Sequence, residues 1–183
     1  MQLDQNIIAV ANSLENVCIT GEVGSGKREM ARSIHAASKL LSGRFVTINC
    51  TGLSDSQFES ELFGVINTEG LFSYKGAIED AVHGTLYLNE ISDLSFYSQA
   101  KLIHLIQSKS YQPLGSNRFR PARIRLITST SHPLETASER GLLRPELLHL
   151  LTPLILHTVP LREKRHVIID LLRELCVELG AQT

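Results

Sequence analysis

Short apolar runs bounded by turn residues alternate with helical stripes along this chain, and that alternation predicts its elements. The run VCIT, Val17 to Thr20, has the length and β-branched content of a buried parallel strand and stops at a glycine-rich turn. From Lys27 to Leu41, the residues Met30, Ala31, Ile34, Ala37, Leu40 and Leu41 fall on one helical face, and Ser42-Gly43 supplies the stop. RFVTIN, Arg44 to Asn49, reads as a second strand. Ser54 followed by Gln57 is a capping-box pattern that opens a short helix through Phe58, Leu62 and Phe63 and ends at Gly64. A loop without clear period comes next. GTLYL is the third strand, and Asp93 or Ser95 can cap the helix in which Leu102, Ile103, Leu105 and Ile106 face inward. RIRLITST is the fourth strand; Glu135 to Leu151 has helical character interrupted at Pro145, and PLILHTV is the fifth strand.

The alternation predicts one three-layer α/β domain over residues 1–160, a parallel five-stranded sheet with helices on both faces. PLREKR then opens a last helix over 161–183. Its stripe of Val167, Ile168, Leu171, Leu172, Leu175, Cys176 and Leu179 is followed only by Gly180 to Thr183, so something else is expected to cover that face.

Composition narrows the classes. At 183 residues, 43% hydrophobic and 20% charged, the chain has the makeup of one globular domain with a real core, not of a disordered or fibrous protein. No apolar run approaches membrane-spanning length and the N-terminus lacks a secretory pattern, so a cytoplasmic setting is expected. Cys18, Cys50 and Cys176 are widely spaced and read as small core residues rather than a disulfide frame or zinc site. A net charge of -1 gives no global pull on nucleic acid, and RFRPARIR, Arg118 to Arg125, could touch phosphates but reads first as a solvated hairpin.

The chemistry concentrates at the end of the first strand. GEVGSGK, Gly21 to Lys27, fits GxxxxGK directly between a predicted strand and a predicted helix, the setting in which that motif cradles a triphosphate. Gly21, Gly24 and Gly26 can turn backbone N–H groups toward phosphate, with Glu22, Val23 and Ser25 completing the loop. Lys27 would neutralise the β and γ phosphates. Arg28 stands where a Ser or Thr usually holds magnesium, so metal binding must rely on other groups. At the tip of the third strand a nucleoside triphosphatase of this kind needs two carboxylates, one for metal-bound water and one to polarise the attacking water. Here Asn89 is an amide and Glu90 is intact.

Beyond this loop, GEVGSGKREMARSIHAAS, FVTINC, SELFG, GTLYLNEI, QAKLIHLIQ and PLREKR occur in an order that resembles the AAA+ domain of bacterial enhancer-binding proteins, the sigma-54-interacting transcription activators. The resemblance covers nearly the whole chain. It implies a P-loop fold, ATP with magnesium as ligands, self-association into a ring, and RNA polymerase or another regulator as partner. The family's own loop also lacks the Ser/Thr at the Arg28 position. By resemblance Asn49 is the switch asparagine that senses nucleotide through the catalytic glutamate, Glu90 is that glutamate, and Arg144 is the first of two arginines in RxDLxxRL. Departures are equally specific: Asn89 replaces the metal-binding aspartate, Ser131 a sensor asparagine and Leu150 the second arginine. The GAFTGA loop that contacts sigma-54 is absent from VINTEGLFSYKGAIEDAVH. Residues 161–183 correspond to the first helix of a lid, with no DNA-reading part following. The expectation is an ATP-binding domain impaired in hydrolysis that does not remodel sigma-54 polymerase by the usual loop. A second reading is a protein-interaction or cyclic di-GMP-responsive module, and a third is a live ATPase in which water replaces the lost carboxylate.

Overall fold

Residues 5–13, 15–38 and 42–163 are described by a computed structural model. In chain order the elements are α1 (Gln5–Asn12), β1 (Val17–Thr20), α2 (Lys27–Ala37), β2 (Phe45–Asn49), α3 (Asp55–Phe63), β3 (Val65–Ile66), β4 (Phe72–Tyr74), α4 (Ala77–Asp80) and β5 (Thr85–Asn89). These are followed by α5 (Phe96–Ser108), β6 (Ser110–Tyr111), β7 (Arg120–Pro121), β8 (Arg125–Thr130), α6 (Leu134–Glu139), α7 (Pro145–Leu151) and β9 (Ile155–His157). All five predicted strands join one parallel sheet in the order β2-β5-β8-β1-β9. Every residue of β1 and β8 is buried, as expected of central strands covered on both faces.

Side chains alternate across the sheet and build two cores. Cys18, Ile48, Leu86, Leu88 and Leu126 meet Phe58, Leu62, Leu102 and Leu147 from α3, α5 and α7. On the other face Val17, Ile19, Tyr87 and Ile127 meet Val10, Ala31 and Ile34 from α1 and α2. Three layers result, as the alternation predicts. The crossover pattern delivers the carboxyl ends of β1, β2, β5 and β8 to one edge, where the site lies.

Several details depart from the sequence reading. The unperiodic stretch after Gly64 is a β3–β4 hairpin and the single-turn α4, which the two- and three-residue strands are too short to announce. Ser95, not Asp93, caps α5 by accepting from the Ser98 N–H; Asp93 ends a short 3-10 turn. The helix from Lys27 reaches Ala37, and Leu40 and Leu41 lie outside the described residues. Arg120 and Pro121 do form a hairpin strand with β6, but Arg125 at the end of the basic run is only 2% exposed. Its guanidinium donates to the carbonyls of Val10 (2.6 Å) and Ala11 (3.3 Å), capping the C-terminus of α1, where a positive charge meets the negative end of the helix dipole. The predicted last helix, Cys176 included, lies outside the described residues beyond the 3-10 turn Leu161–Glu163. No described helix is long and apolar enough to cross a membrane.

Candidate functional site

The loop Gly21–Gly26 leaves β1 and delivers Lys27 as the first residue of α2. Gly26 caps that helix with φ 87°, a left-handed conformation strained for any residue with a Cβ. Gly21 packs so closely on Thr158, just past β9, that a Cβ there would overlap the threonine hydroxyl. Ser25 closes the turn: its hydroxyl lies 2.7 Å from the Glu22 carbonyl and 2.6 Å from the Thr158 hydroxyl. Thr158 in turn donates its N–H to the Thr20 carbonyl at 2.8 Å. The loop is therefore shaped mainly by main chain and pinned to β9, with the unpaired first N–H groups of α2 at its end. Glu22, Val23, Gly24 and Arg28 are exposed.

Lys27 is 6% exposed and turns its ammonium back under the loop. It donates to the carbonyls of Gly21 (2.8 Å) and Glu22 (3.1 Å) and to the Ser131 hydroxyl (2.7 Å), and lies 3.1 Å from Glu90 Oε1. Ser131 also grips Glu90 twice, its N–H on Oε2 and its hydroxyl on Oε1, both at 2.7 Å. Burial pushes the Glu90 carboxyl up, but the bonds from Ser131 and Lys27 and the ammonium charge together outweigh it and hold the group below the ordinary glutamate range. Glu90 itself has φ 56°, uncommon for a residue with a side chain.

Asn89 is the centre of a second network. Its side-chain oxygen accepts from the Tyr87 hydroxyl (3.0 Å) and the Ser129 hydroxyl (2.9 Å), while its Nδ2 donates to Asn49 Oδ1 at 3.0 Å. Asn49 and Asn89 are cross-strand partners at the ends of β2 and β5, which explains the pairing. Burial pushes the Tyr87 phenol up to about 12, so it stays a neutral donor.

The fold thus gathers the loop, Glu90, Asn89, Asn49 and Ser131 at one edge of the sheet. Asn49 bonds Asn89 rather than Glu90. Arg144 is tied elsewhere: its Nε donates to the Phe96 carbonyl (2.9 Å), its N–H to Gln99 Oε1 (2.8 Å), and its guanidinium lies 5.3 Å from the Phe96 ring centre. Leu150 is half-buried on α7. Four residues of the site escape the motif reading. Tyr87 and Ser129 are foreshadowed only by strand period, Tyr87 lying two residues before Asn89 on the same face. Thr158 has no motif at all. Arg162 forms a two-pronged ion pair with Glu22, at 2.5 and 2.7 Å, linking the segment after β9 to the loop. Cys18 and Cys50 are buried, with thiols pushed up by burial to about 11 and 12, as inert core residues are.

Known proteins place this architecture. The crystal structure of NtrX from Brucella abortus in complex with ATP superposes with a TM-score of 0.87 at 32% identity, over 98% of this chain and 41% of that one. Among curated relatives, the anaerobic nitric oxide reductase transcription regulator NorR of Serratia proteamaculans is 40% identical over 89% of this chain. The nitrogen assimilation regulatory protein NtrX of Azorhizobium caulinodans is 35% identical over 100% of it. The chain spans 33% and 40% of those two proteins. Residues 1–157 match the family described as the Sigma-54 interaction domain, and with that match over most of its length the chain belongs to this family of P-loop NTPase domains.

Proposed function

We propose that this is the ATP-binding AAA+ domain of a bacterial transcription regulator, acting in the cytoplasm and impaired in hydrolysis. One observation carries the reading: the ammonium of Lys27 sits under a glycine turn of the required left-handed shape, at the start of a helix. Gly21 to Arg28 would hold the triphosphate through backbone N–H groups and the Lys27 charge, an arrangement suited to that ligand by donor chemistry alone. The ATP complex of Brucella NtrX supports the choice of nucleotide.

Magnesium fits less well. Both lone pairs of the Asn89 oxygen are taken by Tyr87 and Ser129, Arg28 is a cation, and no three His, Cys, Asp or Glu converge among the described residues. The described residues therefore offer no direct ligand set, and any metal would be held through the nucleotide itself. With Asn89 in place of a carboxylate, turnover is expected to lie roughly a hundredfold to a thousandfold below that of family members with the full acidic pair. Glu90 remains the base, and Arg144 the group offered to a neighbouring subunit in a ring. RNA polymerase or another regulator is the partner. Sigma-54 is not engaged by the usual loop, because residues 64–84 fold as a short hairpin and one helical turn without the GAFTGA motif. The interaction-module and cyclic di-GMP reading rests on the 167–179 stripe or on analogy, and the stripe lies outside the described residues.

Binding and turnover measured on one sample test this. Calorimetry should record ATP binding with little phosphate released. Absence of heat at millimolar ATP, or turnover equal to an intact relative, would overturn it.

A further inference from the structure

Lys27 has four oxygens around its ammonium: the Gly21 and Glu22 carbonyls, the Ser131 hydroxyl and Glu90 Oε1, all between 2.7 and 3.1 Å. An ammonium carries three protons. A phosphate oxygen that takes one must therefore loosen a contact the protein already makes. Two of the four oxygens belong to the loop itself and are neutral. Glu90 brings a negative charge, and it is the anion that a phosphate must contend with at this lysine.

The serine at 131 holds it there. In the family resemblance the glutamate's partner is the asparagine at 49, yet here Asn49 bonds Asn89, and Glu90 bonds Ser131 and Lys27 instead. Ser131 supplies what a main-chain N–H alone could not, a hydroxyl that accepts from Lys27 and donates to Glu90, closing a triangle with sides of 2.7, 2.7 and 3.1 Å. Only 15% of the Glu90 side chain and 6% of Lys27 are exposed, so water screens the pair weakly.

We propose that Ser131 is a positioning residue that clamps Glu90 onto Lys27, so that the carboxylate competes with nucleotide phosphate for the ammonium. The domain then sets its own nucleotide affinity low, and whatever draws Glu90 away from Ser131 raises it. This rests on the reading of the loop as a nucleotide site.

The test uses ADP, which is not hydrolysed and lacks the γ-phosphate that Glu90 could repel directly, with EDTA present to exclude metal effects. Glu90→Gln should bind ADP about tenfold more tightly than the natural chain, the low end of what one opposite charge within 6 Å contributes. Ser131→Ala should tighten binding about threefold, while Ser131→Thr, which keeps the hydroxyl, should leave it unchanged. Thermal melting adds a sign that a merely structural role would not give. Without ADP, Glu90→Gln should melt lower because Lys27 loses its counter-ion, yet its rise in Tm on adding ADP should be larger. If ADP binds the natural chain but binds Glu90→Gln and Ser131→Ala equally or more weakly, the clamp is refuted while the nucleotide reading stands. If ADP and ATP both fail to bind the natural chain, the nucleotide reading itself fails and the clamp goes with it. Ser131→Ala decides the matter alone should Glu90→Gln not fold.

Discussion

The phosphate loop and the strand tips facing it share one sheet edge, but they are held by different kinds of bond. The loop is a main-chain object: glycine dihedrals, a serine closing the turn on a carbonyl, and Thr158 pinning it to the next strand. The tips are side-chain objects, in which Asn49, Asn89, Tyr87 and Ser129 form one network and Glu90, Ser131 and Lys27 another. A main-chain site tolerates changes in most of its side chains, as Val23 and Arg28 illustrate by their exposure to solvent. A side-chain site changes its chemistry with one atom, as the amide nitrogen of Asn89 does by engaging Asn49. In our proposal that is why binding outlasts turnover.

Lys27 carries the positive charge that the loop would offer to phosphate, so its loss should give the largest effect. Lys27→Ala should weaken ATP binding on the order of a hundredfold, the cost of removing one partner from a hydrogen-bonded charge cluster. Calorimetry on a sample shown to be folded by circular dichroism measures it. Unchanged affinity would mean that the loop is not the site, and the contrast between the two regions would lose its first half.

The second half is addressed by Asn89→Asp. Tyr87 and Ser129 already donate to the oxygen that would carry the new charge, and the Asn49 amide can turn its N–H group toward it. The substitution should therefore fold without loss and raise ATP turnover by about tenfold, part of the factor that a positioned charge commands. Phosphate release is the measurement. No gain would place the deficit elsewhere, at Leu150 or in assembly.

What the sequence disclosed follows the same division. The five sheet strands, α2, α3 and the loop are readable because they are set by period, glycine placement and capping, all local in the chain. The capping box at Ser54 and Gln57 is present in full, with both reciprocal bonds made. The identity of the tip residues was readable too, but not their partners. That Asn49 would meet Asn89 requires the β2–β5 register, and that Ser131 would meet both Lys27 and Glu90 requires β8 to lie between β5 and β1. Thr158 and Arg162 are separated from the loop by more than a hundred residues of chain and acquire their roles only through the β1–β9 pairing. The N-terminal helix α1 is a different failure: its eight residues include both carbonyl acceptors of the buried Arg125, and a buried arginine is not foreseeable from a run of basic residues that otherwise belongs to a solvated hairpin.

The smallest effect tests whether charge or shape anchors the tip. Burial raises the Glu90 carboxyl while Ser131 and Lys27 lower it, and the net is a folded-state value below the ordinary one. Such a group binds fewer protons folded than unfolded, so its contribution is complete above the ordinary glutamate value of about 4.3 and is lost as pH falls through the lower folded value. Glu90→Gln has no such group. Its deficit in Tm relative to the natural chain, on the order of a few degrees, should hold steady from neutral pH down to about pH 5 and close as the pH drops below about 4. Melting curves across that range read the difference directly. A deficit that persists undiminished into strong acid would mean that the glutamine side chain fails there by geometry and not by lost charge. The strand tip would then be held as the loop is, by fit, and the division drawn between the two regions would not exist.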